Sequence, residues 1–263
     1  SDLGGTHTLG GVPDYWYGRR MRYWRAYEER LQACQAENGL SCELAMFQIA
    51  LEAGVRWIPA TPACGVLACS ARGALVVTSC GPALVTGRQI IDASGDGDLA
   101  AWAGSPYTYG TQRDESTLWY SFAHFHKVYG NKLTTGASRT YASVVDQRSL
   151  ADTTRAIIAG RRHVGMFGEA EYPQYYLAPR ESRHIAGRAT VTYRDVLTGR
   201  GWPDLALVAR ANFDIKGLAS SDLAMCGFVE WDFVGNYDAP IPYSALLPVS
   251  LDNLLVIGKA YSI

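Results

Sequence analysis

The chain has 263 residues, 48% of them hydrophobic, and its 24 basic side chains nearly balance its 25 acidic ones. This length can bury a large core in one domain or in two interleaved domains. The balanced charge argues against nucleic acid as the main partner, and apolar runs such as 254–257 are far too short to span a membrane.

The cysteines and the start of the sequence bear on the cellular compartment. Six cysteines stand at irregular spacing in a chain large enough to fold without disulfides, so we interpret them mostly as buried thiols in a reducing compartment. No charged-then-apolar leader opens the sequence. We therefore expect a cytoplasmic location.

After a glycine-rich opening segment, the pattern predicts two helices. The first spans 19–37 and ends at Asn38-Gly39, a typical helix stop. Ser41 then caps a second helix over 42–53, whose apolar residues share one face. Beyond it the hydrophobic period changes to two, which predicts a small antiparallel meander. Its four strands are 55–58, 65–69, 74–79 and 83–91.

The last strand of this meander runs into a segment of small and acidic residues at 92–98. Gly95 and Gly97 allow a tight turn, small residues let the chain pass close to a ligand, and carboxylates accept hydrogen bonds from sugar hydroxyls. The arrangement suits a nucleotide ribose or pyrophosphate at the carboxyl end of a strand. An ordinary Asp-Gly turn is the alternative.

The rest of the chain has a different character, with many aromatic residues and few long helical patterns. The pattern predicts strands at 117–128 and 188–192, a helix at 152–161 and a short helix that starts at Tyr193. A last apolar strand follows at 253–257. The predicted fold class is therefore α/β with α+β character.

Four segments match one known family in the family's own order. They are Gly4-Gly5-Thr6 with Thr8 and Gly10, the Ile-Asp-Ala-Ser-Gly-Asp-Gly-Asp run at 91–98, the Pro-Arg-Glu-Ser-Arg-His-Ile-Ala-Gly run at 179–187, and 241–259. Through them the chain resembles the FAD-dependent oxidoreductases of the glutathione-reductase-like fold, particularly the relatives of succinate dehydrogenase and fumarate reductase flavoprotein subunits. The resemblance implies a partial three-layer FAD-binding domain at 1–105, with a return strand at 250–263, interleaved with an antiparallel-sheet substrate domain at 106–249.

The resemblance also implies FAD as the cofactor and a set of residues near it. In the succinate dehydrogenase-like relatives a loop histidine is joined covalently to the flavin, and His7 stands at the matching place. Covalent attachment through His7 is one expectation, and a loop histidine that hydrogen-bonds the flavin or solvent is the other. The expected cofactor residues are Gly4, Gly5, Thr6, His7, Thr8, Gly10, Ala93, Ser94, Gly95, Asp96, Asp98, Gly258 and Lys259.

Parts of the family pattern are absent from this sequence. They are the first strand with its G-x-G-x-x-G turn, the acidic residue that ends the second strand, and the final helix after Gly258. In that fold the pyrophosphate rests on the N-terminus of the first helix. We therefore expect another polypeptide to supply the G-x-G-x-x-G unit and the C-terminal helix, in an oligomeric assembly, and we expect the chain alone to hold FAD weakly.

Arg180, Arg183 and His184 form a dense cationic cluster in the third matching segment. Guanidinium groups can hold a carboxylate bidentately, and an imidazole exchanges protons near neutral pH. His184 is the first candidate for the base that takes the substrate proton as hydride leaves to flavin N5. A structural salt-bridge set with Glu181 is the alternative for the two arginines.

Two further groups of residues have weaker functional interpretations. His124 and His126 share one face of a predicted strand, but no third ligand is near them, so we favour a polar strand face over a metal site. The Tyr-Trp-Tyr run at 15–17 follows the flavin loop. Such rings stack on sugars, although aromatic residues are more often part of a core.

These features predict an FAD-dependent oxidoreductase that acts on a polar small molecule, either a sugar or another alcohol. Because Arg180 and Arg183 could bind a carboxylate, one alternative is a carboxylate or dicarboxylate dehydrogenase of the fumarate-reductase type. Because the phosphate-binding turn is missing, a second alternative is that the chain is a non-catalytic subunit of a flavoprotein assembly. A metal hydrolase built on Asp96, Asp98 and the histidines is the third class of function, after a flavoenzyme and a non-catalytic subunit.

Overall fold

The computed structural model describes two compact units of the chain. It describes residues 3–8, 18, 20–38, 42–67, 72–111, 114–127, 135–141, 144–162, 171–211 and 237–263, and it leaves out the side chains of 35–38, 122–127, 135–141, 161–162, 171–176 and 211. One unit comprises Ser1–Ala60 and Trp119–Pro179, and the other comprises Thr61–Leu118 and Arg180–Ile263. The predicted domains at 1–105, 106–249 and 250–263 are divided by the ligand that each is expected to bind, cofactor or substrate, whereas these units are defined by compactness. The predicted division stays a prediction.

The described residues contain helices and short strands that alternate along the chain. The helices are α1 (Tyr23–Asn38), α2 (Cys42–Glu52), α3 (Asp98–Trp102), α4 (Leu150–Arg162) and α5 (Tyr193–Thr198). The strands are β1 (Ala63–Val66), β2 (Gly73–Thr78), β3 (Gly81–Thr86), β4 (Ile90–Asp92), β5 (Tyr107–Tyr109), β6 (Ser121–Lys127), β7 (Thr135–Tyr141), β8 (Glu171–Ala178), β9 (Arg183–Ile185), β10 (Leu205–Ala211), β11 (Tyr237–Pro242) and β12 (Leu254–Val256). The predicted α/β class with α+β character is confirmed.

A helical pair and a small sheet make up the first unit. Helices α1 and α2 pack together around Tyr27, Cys34 and Ala45. Strands β7, β6 and β8 form an antiparallel sheet, and α4 packs on β8. The predicted helices are confirmed, but α1 begins at Tyr23 rather than at residue 19. Arg22 takes a positive φ of 38°, which a right-handed helix cannot include.

The meander of the second unit has three strands rather than four. Strands β1, β2 and β3 are antiparallel neighbours, as predicted. Residues 55–58 do not form the expected strand, because α2 ends at Glu52, Gly54 turns the chain with a φ of 72°, and the segment that follows pairs with no strand of the described residues. The predicted strand at 83–91 is also wrong as one element. The amide of Gly87 closes the β2–β3 hairpin on the carbonyl of Arg72, and β4 joins a different sheet.

The core of the second unit lies around a parallel pair of strands. Strand β4 pairs with β12, so that Ile90 faces Leu254 and Asp92 faces Val256. Strands β5 and β9 form an antiparallel pair, and so do β10 and β11. The buried residues around the parallel pair are Leu99, Ala100, Ile185, Leu251, Leu254, Val256 and Ala260.

The predicted strand at 188–192 is wrong, because its backbone bonds to scattered places instead of one partner strand. The amides of Arg188 and Ala189 donate to the carbonyls of Leu247 and Ser244, and the amide of Val191 reaches residue 262. The short helix predicted from Tyr193 is confirmed as α5. None of the helices in the described part of the chain has the length and apolar character that a membrane crossing requires.

Candidate functional site

The two parallel strands end at the same edge of the second unit. β4 runs into the turn at 93–97 and β12 runs into a 3-10 turn, Gly258–Ala260. We call residues 93–98 and 258–260 the strand-end edge. In open α/β sheets, ligands bind outside the carboxyl ends of parallel strands. The edge therefore has the position that a cofactor needs.

Asp92 holds the first turn of this edge in place. Its carboxylate is 1% exposed and accepts hydrogen bonds from the Ser94 amide (3.1 Å), the Ser94 hydroxyl (2.7 Å) and the Ala100 amide (3.0 Å). These donors satisfy a buried charge that would otherwise be costly. Asp92 is not among the cofactor residues that the sequence predicted. Its one signal was a carboxylate at the end of an apolar run.

Lys259 links the two turns of the edge. Its ammonium donates to the carbonyl of Gly95 at 2.7 Å and to the carboxylate of Asp96 at 2.5 Å. The Ser182 hydroxyl donates to the same Asp96 oxygen at 2.6 Å. Two of the predicted cofactor residues, Lys259 and Asp96, therefore form an ion pair that fixes the shape of the edge.

Arg183 donates to one carboxylate and one backbone carbonyl of this edge. Its guanidinium donates to Asp98 at 2.7 Å and to the carbonyl of Asp96 at 3.2 Å, and it lies 5.5 Å from the ring centre of Tyr107. Burial raises the pKa of Asp98; the hydrogen bond from Arg183 opposes this rise, and Asp96 and Asp92 add to it. The alternative interpretation, a structural salt bridge, holds for Arg183 with a different partner, because the carboxylate it pairs with is Asp98 and not Glu181.

His184 is adjacent to Arg183 on β9, but it has different partners. Nε2 of His184 lies 3.2 Å from Oε1 of Glu181, and Oε2 of Glu181 accepts the Leu118 amide at 2.8 Å. Nδ1 of His184 is buried and has no hydrogen-bond partner within the described ranges. Successive side chains of a strand point to opposite faces. The third segment therefore presents two separate pairs, Arg183–Asp98 and Glu181–His184, while Arg180 is half-buried just before them.

The predicted flavin loop lies in the first unit, where His7 has an aromatic environment. Nε2 of His7 is 2.8 Å from the Tyr27 hydroxyl, and its ring makes an edge contact with Trp24 at 5.7 Å. A hydrogen bond from His7 lowers the pKa of Cys42; burial opposes this effect, and a hydrogen bond from Tyr27 adds to it. His7, Tyr27 and Cys42 therefore form one polar cluster.

The other residues of the flavin loop have structural partners of their own. Gly4 has a φ of 91°, a left-handed backbone conformation that favours glycine whatever lies beside it. The Thr8 hydroxyl donates to the Leu3 carbonyl at 2.6 Å, and Thr6 is exposed. Gly10 lies outside the described residues. That this loop and the strand-end edge converge on one cofactor stays a prediction.

Several other candidates also lie beyond the description. These are the aromatic run at 15–17 and the side chains of His124 and His126, although β6 carries the two histidines as predicted. Among the described residues no group of His, Cys, Asp or Glu is arranged to hold a metal ion.

The strand-end edge offers the backbone features that a dinucleotide cofactor needs. Gly258 has a φ of 82°, and a Cβ there would meet no atom of the described residues within 4 Å. Gly95 has a φ of 88°, and in the described part of the chain its Cβ would meet only the Lys259 ammonium, at 3.6 Å. Both positions therefore leave room for a ligand beside the backbone. Together with the exposed Ala93 and Ser94, these residues fit FAD.

The family follows from the sequence comparison, which agrees with this site. The chain matches the family described as FAD dependent oxidoreductase over residues 8–176 and again over 161–263. The chain therefore belongs to the FAD-dependent oxidoreductase family, and it is a flavoenzyme. No curated protein and no solved structure matches the chain significantly.

Proposed function

We propose that this FAD-dependent oxidoreductase oxidises a neutral hydroxylated molecule, a sugar or another alcohol, rather than a carboxylate. The observation that carries the proposal is the pair between Arg183 and Asp98, at 2.7 Å. The charge of the Arg183 guanidinium is compensated by the Asp98 carboxylate, so its attraction for a substrate carboxylate is weakened. This supports a substrate that brings no negative charge.

The charge around the site favours the same substrate class. Its basic side chains are Arg180, Arg183 and Lys259, and its carboxyl groups are Asp92, Asp96, Asp98 and Glu181. Among the described side chains around the site, four carboxyl groups therefore outnumber three lysine and arginine side chains. A dicarboxylate would need the opposite balance, because buried anions require compensation by nearby positive charge.

Oxidation of an alcohol removes a hydride from carbon and a proton from oxygen. Bound FAD supplies the hydride acceptor. We propose that His184 accepts the proton, which its buried and unpartnered Nδ1 supports, since this nitrogen is free of hydrogen bonds to the described residues. Asp96, Lys259 and Asp92 hold the strand-end edge in the shape that the cofactor meets.

The substrate class is tested by anaerobic mixing. Flavin-bound protein is mixed separately with glucose, sorbitol, myo-inositol, succinate and malate, and bleaching of the flavin absorbance is followed. We expect polyols to reduce the flavin and the dicarboxylates to leave it oxidised. Reduction by succinate or malate, at a rate equal to or above that of every polyol, would overturn the proposal.

The base is tested by His184→Gln in the same assay. We expect the rate of flavin reduction to fall about 100-fold or more, as is typical for the loss of a general base. Arg188→Gln is the matched control, because Arg188 lies nearby in the chain and pairs with the exposed Asp252. A rate within a few-fold of the control would remove His184 from this role.

His7 has two candidate roles toward the cofactor, covalent attachment and hydrogen bonding. The 2.8 Å contact between its Nε2 and Tyr27 supports the hydrogen-bonding role, because that nitrogen is already engaged. We therefore expect acid precipitation of the flavin-bound protein to release the yellow colour into the supernatant. Colour retained in the washed precipitate, and lost in His7→Asn, would establish covalent attachment instead.

A further inference from the structure

The pair formed by Glu181 and His184 carries an inference that rests on the proposed function. We propose that Glu181 is a positioning residue, which keeps the proton of neutral His184 on Nε2 and leaves the lone pair on Nδ1. Oε1 of Glu181 lies 3.2 Å from Nε2 of His184. Since a carboxylate only accepts hydrogen bonds, Nε2 must be the donor. The basic atom of the neutral ring is then Nδ1.

Glu181 is itself held by the main chain. Its second oxygen, Oε2, accepts the amide of Leu118 at 2.8 Å. The side chains of Glu181 and His184 are only 18% and 17% exposed, so water competes little for these hydrogen bonds. On the other side, β9 fixes the backbone of His184 opposite Thr108 of β5. The imidazole is therefore fixed at its backbone and at one ring nitrogen.

The other ring nitrogen is the one that can act on a substrate. Nδ1 is buried and makes no hydrogen bond to any described residue. In the proposed step the O–H bond of the substrate hydroxyl breaks and its proton bonds to Nδ1. The C–H bond breaks with both of its electrons, which leave as hydride to the cofactor. His184 becomes an imidazolium, and Glu181 stabilises its positive charge through Nε2–H.

The tautomer is measured by nuclear magnetic resonance on the full chain with ¹⁵N-labelled histidine. Long-range proton–nitrogen correlation distinguishes a protonated ring nitrogen from one with a lone pair, and His184→Gln assigns the signals. At alkaline pH, where the ring is neutral, we expect a protonated Nε2 and an unprotonated Nδ1. The opposite tautomer in the wild type would overturn the proposal without any variant.

Glu181→Gln provides the second test, because an amide can donate to Nε2 as well as accept from it. We expect the variant to lose the single tautomer and to reduce its flavin at least 10-fold more slowly in the polyol assay, while Arg188→Gln keeps both properties. An unchanged tautomer in Glu181→Gln would refute the positioning role. A tautomer as expected, together with wild-type flavin reduction in His184→Gln, would instead refute the proposed function and leave the hydrogen-bond assignment intact.

Discussion

Glycines with similar backbone angles serve different purposes in this protein. Gly97 has a φ of 64°, and a Cβ there would lie 2.7 Å and 2.9 Å from side-chain carbons of Ile185. Gly258 also has a positive φ, but its Cβ would lie more than 4 Å from every atom that the structure describes outside the adjoining residues. The first glycine is thus required by packing inside the unit, and the second leaves space at the surface that fits a ligand. The sequence motif alone does not separate these two reasons.

Gly97→Ala tests the packing reason. We expect a loss of about 2–4 kcal/mol in the free energy of unfolding, because the variant combines a strained φ with overpacking against Ile185. Gly199→Ala is the control, since Gly199 has a φ of 60° and a Cβ there would meet no described atom within 4 Å. Urea denaturation measures both variants. Equal losses in the two would contradict a packing role for Gly97.

Cys42 is expected to react with iodoacetamide at an unusually low pH. The hydrogen bond from His7 lowers its thiol pKa, against burial and with help from Tyr27, so the reactive thiolate is populated at lower pH than in an ordinary thiol. His7→Asn should move the pH midpoint of Cys42 alkylation upwards, as measured by mass spectrometry of the labelled peptide. The exposed Cys64 in the same sample is the internal control. An unmoved midpoint for Cys42 would contradict this assignment.

At the scale of elements, local sequence signals predicted which helices and strands form but not which strands pair with each other. The helices α2, α4 and α5 follow from local periodicity and caps, and all three are confirmed. The predicted strand at 83–91 failed because its last part pairs with β12, more than 160 residues further along the chain. Hydrophobic period gives no information about so distant a partner. For the same reason the sequence did not predict the Arg183–Asp98 pair, because this pair depends on where β9 lies relative to the 93–98 turn.

The start of α5 provides a prediction at this scale. Thr192 and Asp195 form a capping box, in which the Thr192 hydroxyl accepts the Asp195 amide and the Asp195 carboxylate accepts the Thr192 amide. We expect Thr192→Ala to lower the free energy of unfolding by about 1 kcal/mol. Thr198→Ala, which removes an exposed hydroxyl from the other end of α5, should change it by less than about 0.5 kcal/mol. Equal effects would show that the box contributes nothing.

At the scale of the molecule, each unit is assembled from two separated stretches of chain. The first combines 1–60 with 119–179, and the second combines 61–118 with 180–263. The cofactor was predictable from the sequence because it depends on short motifs with little tolerance for side chains. The division into these units was not, because it depends on contacts between distant segments. The substrate class likewise depends on which groups neutralise each other in space.

The core of the second unit should tolerate little change. Leu254 is 0% exposed and packs with Val256 and Ala100 beside the strand-end edge. We expect Leu254→Ala to lower the free energy of unfolding by about 2–5 kcal/mol, through lost burial and the cavity left behind. Leu150→Ala is the control, because Leu150 is 83% exposed and should change stability by less than about 0.5 kcal/mol. Denaturant titration measures the free energy of unfolding of both variants. Comparable decreases would contradict the assignment of Leu254 to the core.

The parallel pairing of β4 with β12 has a consequence for biosynthesis. During translation, residues 90–92 leave the ribosome long before residues 254–256. β4 therefore cannot pair with β12 until most of the chain has been made. Lys259, which ties the two turns together, emerges later still. A nascent chain therefore has no finished strand-end edge until Lys259 has emerged, and a ligand that needs both turns of this edge can bind only after that point.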